Sequence, residues 1–400
     1  MSADTVRIGI VGLGLVATSH LKGYRSHSRA EVRAVCDLDR DRAEAFAKEY
    51  GIPAVYESYD EMLRDPSLNS IDIATPTWLH APMAMAAARA GKHVHCEKPF
   101  CTSVAEGMAA CAAARLAGTT LVVGETYEFI APHVKARELI EAGEIGRPLQ
   151  VRERHGAWIN RASARVYTGP ADRNWRIDPV KSGGGKYPWI FDHAVHFFAA
   201  AEYFLPGKKI AEVFSLSSRI TGGAKRHGAD HDPYTTAEAD IPLMTWRYDD
   251  PGCQGVWMRA ERLNGKYDHM RGFSTSIVGE KGMIEVLGEG GANLFWEGRQ
   301  QHLVLHREGK PALCFRFDEG GDDVWDSEIS YYSRGHEGHV RHFVDCALAG
   351  KEPRYSGEDG VHAVHCTLAA IVSAEENRLV RLSEIAPDFT AYGKDSGRRS

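Results

Sequence analysis

The sequence lacks any run of apolar residues long enough to span a membrane, which excludes a transmembrane helix. Cysteine is sparse: Cys36, Cys96, Cys101, Cys111, Cys253, Cys314, Cys346 and Cys366 are scattered with no C-x-x-C. That excludes a disulfide framework and a cysteine zinc site, and leaves reduced thiols. Positive charge is in deficit. The net charge is −6, so no nucleic-acid partner is expected. There is no internal repeat and no low-complexity block. The opening "MSADTVRIGIVGLG" has neither a basic segment nor a long apolar one before its first strand, so no signal peptide is visible and a cytoplasmic location is expected. What remains, 43% apolar and 26% charged residues in a chain of 400, fits a soluble protein too long for one ordinary core, hence two domains.

The first ~125 residues alternate strand and helix patterns with short connections, the signature of a parallel α/β sheet. Val6–Val11, "EVRAVCD", Ile71–Ala74, "HVHC" and Thr120–Gly124 read as strands. "DRAEAFAKEYG" reads as a helix stopped by Gly51, and Ser58/Glu61 and Ser103/Glu106 form capping boxes at two further helix starts. The rest of the chain is different. "HVKARELIEAGEIG" is helical, and then come "PLQVRERHGAW", "AEVFSLSSR", "TAEADIPLMTWRY", "GVWMRA", "GFSTSIVG", "GMIEVLG" and "ALCFRF". These are mostly sequence neighbours joined by turns, which predicts an antiparallel sheet. Helical patterns return at Trp189–Phe204, Gly338–Leu348 and Val361–Glu376. The expected division is 1–127 and 128–400.

Gly12-Leu-Gly14-Leu15-Val16-Ala17 is G-x-G-x-x-A, directly after a strand and opening a helix. Gly12 makes the tight turn, Gly14 lets backbone approach a pyrophosphate, and Ala17 allows close helix–strand packing. Leu15 and Val16 lie at the helix N-terminus that faces the phosphates. Asp37 ends the second strand, twenty residues past Ala17, where an acid binds a ribose 2′-hydroxyl. An acid there repels a 2′-phosphate, and the next residue is Leu38 rather than Arg, so NAD is expected over NADP. Asp39 reads as a helix-capping acid.

In "GKHVHCEKP", Glu97 and Lys98 stand at the C-terminal edge of a parallel strand, where ligands bind in open α/β sheets. "TPTWLH", with Thr75, Pro76 and His80, leaves the same edge one strand earlier. A solvated turn is the alternative reading of Lys98. In "FDHAVHFF", Asp192 and His196 are four apart on a helix and share a face. An acid beside a histidine orients the ring and suits a general base; a helix cap and a core histidine are the plainer alternative. No third ligand with metal spacing stands near them, so no metal is expected.

Taken together and in order, the fingerprint, "ATPTWLH", "AGKHVHCEKP", "ELIEAGEIGRPLQV" and "WRIDPVKSGGG" leading to Asp192-x-x-x-His196 resemble the glucose–fructose oxidoreductase/inositol dehydrogenase (Gfo/Idh/MocA) family over nearly the whole chain. The resemblance implies a Rossmann domain followed by an α/β domain with a large open, mostly antiparallel sheet. It implies Lys98 beside the nicotinamide and the reacting hydroxyl, His196 as general base, and Asp192 as its neighbour. It also implies homodimers or homotetramers packed through the open sheet, and oxidation of a secondary hydroxyl of a sugar or cyclitol. An NAD-using glycosidase and a non-catalytic sugar sensor are the alternatives on the same fold.

Two departures bear on substrate. Gly185 to Asp192 is seven positions, longer than is common in the family, which suggests a remodelled wall bearing Tyr187 and Trp189. Glu128 stands where relatives often carry Arg. Between Arg147 and Lys186, seven Arg and two Lys face three acids, so an anionic sugar is one possibility and a basic surface the other. Trp158, Trp175 and Trp189 fall nearby and offer flat faces for a sugar ring, and Arg154 and Arg176 are the candidate anion contacts. The expected substrate contacts are therefore Lys98, Trp158, Arg176, Trp189, Asp192 and His196.

Overall fold

The computed structural model describes residues 5–155, 175–176, 178–220, 239–259, 273–289, 301–317 and 331–393. Trp158 lies outside the described residues, and of Trp189 only the backbone is described.

The first sheet has six parallel strands: β1 Val6–Val11, β2 Ala30–Cys36, β3 Ala54–Tyr56, β4 Ser70–Ile73, β5 His93–Glu97 and β6 Leu121–Gly124. Their order is β3-β2-β1-β4-β5-β6, so the winding reverses between β1 and β4 and opens a crevice at the C-terminal ends of those strands. The crossovers carry α1 Leu15–Arg25, α2 Arg40–Tyr50, α3 Tyr59–Arg64, α4 His80–Arg89 and α5 Val104–Ala117. Local chemistry sets their ends. Asp39 caps α2 through the Arg42 N–H at 3.1 Å, and Gly51 closes it at φ 63°. Ser58 and Ser103 accept the Glu61 and Glu106 N–H groups at 3.4 and 3.3 Å, so α3 and α5 start where the capping pattern placed them.

The second sheet has nine strands: β7 Pro148–His155, β8 Ile210–Ile220, β9 Ala239–Tyr248, β10 Gln254–Arg259, β11 Phe273–Gly279, β12 Gly282–Glu289, β13 Gln301–Arg307, β14 Lys310–Phe317 and β15 Val380–Arg381. All its pairings are antiparallel except β7 with β10. β13 was not evident in the sequence: its "QHLVLHR" mixes histidines into the alternation, and it is held by register with β12 and β14. Helices α6 Ala131–Glu141, α7 Pro188–Phe204, α8 Tyr331–Ala349 and α9 Gly357–Glu376 are the remaining α-helices among the described residues. Among the described residues, no helix is long and apolar enough to cross a membrane.

Helix α8 begins seven residues earlier than its apolar pattern suggested. Gly335 interrupts the pattern for a packing reason, since a Cβ there would meet Thr126 at 2.5 Å. The helix returns from the second half to cover the first sheet. Val340, Phe343 and Val344 are buried with Val6, Ile8, Ile10, Leu21, Tyr24 and Val122. Full burial of a side chain such as Phe343 contributes roughly 1.5–3 kcal/mol.

Candidate active site

The dinucleotide crevice is built from backbone. Gly12 has φ +87°, and a Cβ there would meet the Ala74 carbonyl oxygen at 2.6 Å, so only glycine lets β1 and β4 part this closely. A Cβ at Gly14 would meet nothing within 4 Å, and no side chain caps the start of α1. The turn into α1 is thus uncrowded, as a helix N-terminus that receives a pyrophosphate must be. Ala17 is fully buried against the sheet. Asp37 is buried at the end of β2, where it accepts the N–H of Leu13 through Oδ2 and of Asp39 through Oδ1, each at 2.9 Å. Its carboxylate therefore holds the shape of the fingerprint loop. Arg42 lies 3.3 Å away, and Leu38 is 94% exposed. The residues present fit a dinucleotide.

Thr75 and Pro76 leave β4 beside this crevice. The buried His80 ring bridges two loops, with its nitrogens 2.6 Å from the Thr75 carbonyl and 2.8 Å from that of Pro99. The Lys98–Pro99 peptide is cis. Lys98 Nζ donates to Asp192 Oδ1 at 3.2 Å and to the Asp192 carbonyl at 3.1 Å, so β5 and α7 meet at one point. Asp192 also has His193 Nδ1 at 3.7 Å and Arg176 Nε at 3.9 Å. Burial alone would push the Asp192 carboxyl up. The basic groups around it, the Lys98 ammonium foremost and then His193 and Arg176, outweigh that and hold it well below the usual carboxylate range.

Asp192 and His196 share a face of α7, yet the carboxylate that bonds the ring belongs to another element. His196 Nδ1 donates to Glu125 at 2.8 Å (Oε1) and 2.9 Å (Oε2). Asp192 is engaged by Lys98 instead. Glu125 is fully buried just past β6, and its Oε1 also accepts the Tyr127 N–H at 2.9 Å. The sequence reading did not single out Glu125. The available signal was an acid directly after β6, at the same sheet edge as Lys98.

Glu97 does not join Lys98 in the cleft. Its carboxylate turns inward to His20, 3.1 Å from Nε2, so it stands apart from the other expected cofactor contacts. The reason is local: alternation along β5 sends Glu97 and Lys98 to opposite sides. Arg176 is brought to Asp192, with its guanidinium 4.4 Å from the centre of the Trp175 ring. Arg154 lies on β7, paired across to Ser274 and Met258. Gly184 and Gly185 are buried against Phe191 and the Ala391 backbone, and Tyr187 immediately precedes α7.

A doubly wound sheet with the glycine fingerprint, a lysine at its C-terminal edge and a histidine held by a buried carboxylate is the arrangement of a nicotinamide-dependent oxidoreductase. Within that class, the chain belongs to the Gfo/Idh/MocA oxidoreductase family. Residues 6–125 match its NAD-binding Rossmann fold, and residues 137–382 match its C-terminal alpha/beta domain. The chain is similar to myo-inositol 2-dehydrogenase of Thermotoga maritima, 26% identical over 95% of this chain and 99% of that one. It is also similar to scyllo-inositol 2-dehydrogenase (NAD(+)) of Bacillus subtilis, 27% identical over 94% and 96% respectively. Among solved structures, levoglucosan dehydrogenase in complex with NADH and levoglucosan shares the fold, with a TM-score of 0.74, 22% identity, and coverage of 94% of this chain and 99% of that one.

Proposed function

We propose that this protein is an NAD-dependent dehydrogenase that oxidises a secondary ring hydroxyl of a sugar, sugar derivative or cyclitol to the ketone, or runs the reverse. The observation that carries the reading is Asp192 and His196 on one face of α7, the first bonded to Lys98 and the second to Glu125, at the C-terminal edge of the parallel sheet. The bound nicotinamide supplies the hydride acceptor; Gly12, Gly14, Leu15, Val16, Asp37, Thr75, Pro76 and His80 would hold the dinucleotide. The chain's own residues handle the proton. With Nδ1–H committed to Glu125, the ring presents Nε2 as the base for the substrate hydroxyl. Glu125 then stabilises the imidazolium as the proton arrives. Lys98, fixed by Asp192, stabilises charge on the substrate oxygen.

NAD is favoured over NADP because Asp37 is a buried acid at the end of β2 and Leu38 offers a 2′-phosphate nothing. The names of the two inositol dehydrogenases and the levoglucosan enzyme favour a polyhydroxylated ring. Arg176, already drawn to Asp192, favours a substrate bearing an acid or several hydroxyls near the reacting carbon. Of the tryptophans, Trp175 carries Arg176; Trp158 and Trp189 are proposed as ring-stacking faces. The unit 1–127 serves the cofactor, and 128–400 serves the substrate and assembly.

Assembly as a homodimer or homotetramer through the open sheet is supported by an apolar stripe. Leu216 pairs with Leu243, and Leu243 with Met258, across β8, β9 and β10. These side chains are 44%, 41% and 43% exposed. The test of the function is a panel of hexoses, pentoses, glycosides, uronic and aldonic acids, inositols and short alcohols, read by NADH absorbance. Net NADH with ring polyols supports the dehydrogenase. Glycoside cleavage without net NADH selects the glycosidase reading, and tight sugar binding with no turnover selects the sensor.

A further inference from the structure

The inward turn of Glu97 leads into a closed cluster that the proposed chemistry does not use. His20 from α1, Glu97 from the end of β5, and His336 and His339 from α8 are all buried. One ligand atom from each lies within 4.8 Å of all the others. Asp72 and His95, also fully buried, stand behind them.

Hydrogen-bond polarity fixes what these atoms present to one another. The Asp72 carboxylate faces Nδ1 of both His20 and His95 at 2.9 Å. An ionised carboxylate only accepts, so both Nδ1 atoms carry protons. In a neutral His95 the Nε2 is then a lone pair, and His339 Nδ1, 2.9 Å away, donates to it. That leaves a lone pair on His339 Nε2, and in a neutral His20 another on its Nε2. The His20 lone pair faces Glu97 Oε1, a third acceptor, at 3.1 Å. His336 Nδ1 closes the group, 3.1 Å from His339 Nε2 and 3.9 Å from Glu97 Oε1, while His339 Nε2 lies 4.0 Å from that oxygen. Acceptors converging in a dry interior require either a proton or a metal ion between them.

We propose that His20, Glu97, His336 and His339 bind one divalent first-row transition ion, with zinc(II) the expected occupant. Three imidazoles and one carboxylate are a borderline ligand set that suits zinc. A tetrahedral ion with bonds of 2.0–2.1 Å places its ligand atoms about 3.3 Å apart, and the separations above bracket that value. Charge also balances: Asp72 and Glu97 bring two negative charges inside, and a dication neutralises both. Asp72 then plays the outer part common at zinc sites, bonding His20 directly and His339 through His95. Four protein ligands leave no open position, so the ion is structural and not catalytic. It would tie α8 to the helix that opens at the fingerprint. The sequence reading found no metal motif because only His336 and His339 are neighbours in sequence.

The competing occupant is a single proton on His20, shared with Glu97, with His336 donating to His339. The two are separated by metal content. The full-length protein is purified without chelator and analysed by elemental mass spectrometry; it is also expressed with cobalt(II) replacing zinc. The expected result is about one zinc per chain, and in the cobalt form the intense visible absorption of a four-coordinate ion. In His336→Gln and His339→Leu the content should fall to ~0.1 per chain or less. Less than ~0.1 metal per wild-type chain from both preparations overturns the proposal. So does full metal content in both variants. If a variant fails to fold, the wild-type cobalt spectrum still decides.

Discussion

His196 Nδ1 lies 2.8 Å from Oε1 of Glu125, a fully buried carboxylate on the neighbouring element, and that contact decides which ring nitrogen is available as a base. Replacing the carboxylate while keeping its shape tests the point. Glu125→Gln keeps an acceptor for Nδ1–H but removes the charge that stabilises the imidazolium. We expect kcat to fall ~100-fold with NAD affinity unchanged, the scale of a lost acid–base partner. A purely structural role would lower stability and leave the kcat of the folded fraction intact, so kcat per bound NAD is the discriminating readout.

Lys98 is held by the carbonyl and Oδ1 of Asp192, and in the proposed mechanism its charge stabilises the developing alkoxide. Lys98→Met should retain NAD binding and lose at least ~100-fold in turnover. Steady-state rates beside a cofactor titration check this, and full activity with cofactor bound removes Lys98 from the mechanism.

Cofactor preference rests on Asp37 and Leu38. The double change Asp37→Ser with Leu38→Arg removes an anion and adds a phosphate partner, and should move kcat/KM toward NADP. Asp37 also bonds the Leu13 N–H, so some loss with NAD is expected as well. A wild type that already prefers NADP contradicts the assignment.

Asp192 predicts a pH dependence of stability. Its carboxyl is held well below the usual range in the folded chain, while an unfolded Asp titrates near about 3.9. Below that value the unfolded chain takes up a proton that the folded chain refuses. The Asp192 contribution is therefore complete above about pH 4 and is lost as pH falls further. Urea midpoints of wild type and Asp192→Asn should differ most at neutral pH and converge toward pH 3. A gap that widens on acidification reverses the sign and the argument.

Much of this was legible in sequence because it is local. The strand–turn–helix of Gly12–Ala17, the capping serines at 58 and 103, and Asp192 with His196 at helical spacing each declare themselves within a few residues. Glu125 did not, because its partner is 71 positions away and only the fold brings β6 beside α7. The same holds for the His20, Glu97, His336 and His339 cluster, assembled from three elements. Glu97 shows the converse: sequence placed it at the correct sheet edge, but strand alternation turns its side chain inward, to a partner 77 positions away, His20.

The measurement that bears most directly on the account is single-turnover NADH formation with NAD pre-bound and the best ring polyol from the substrate panel, comparing wild type with His196→Ala. The account predicts prompt NADH in the wild type and a rate at least ~100-fold lower in the variant, with NAD affinity unchanged. Equal rates in the two proteins would contradict it.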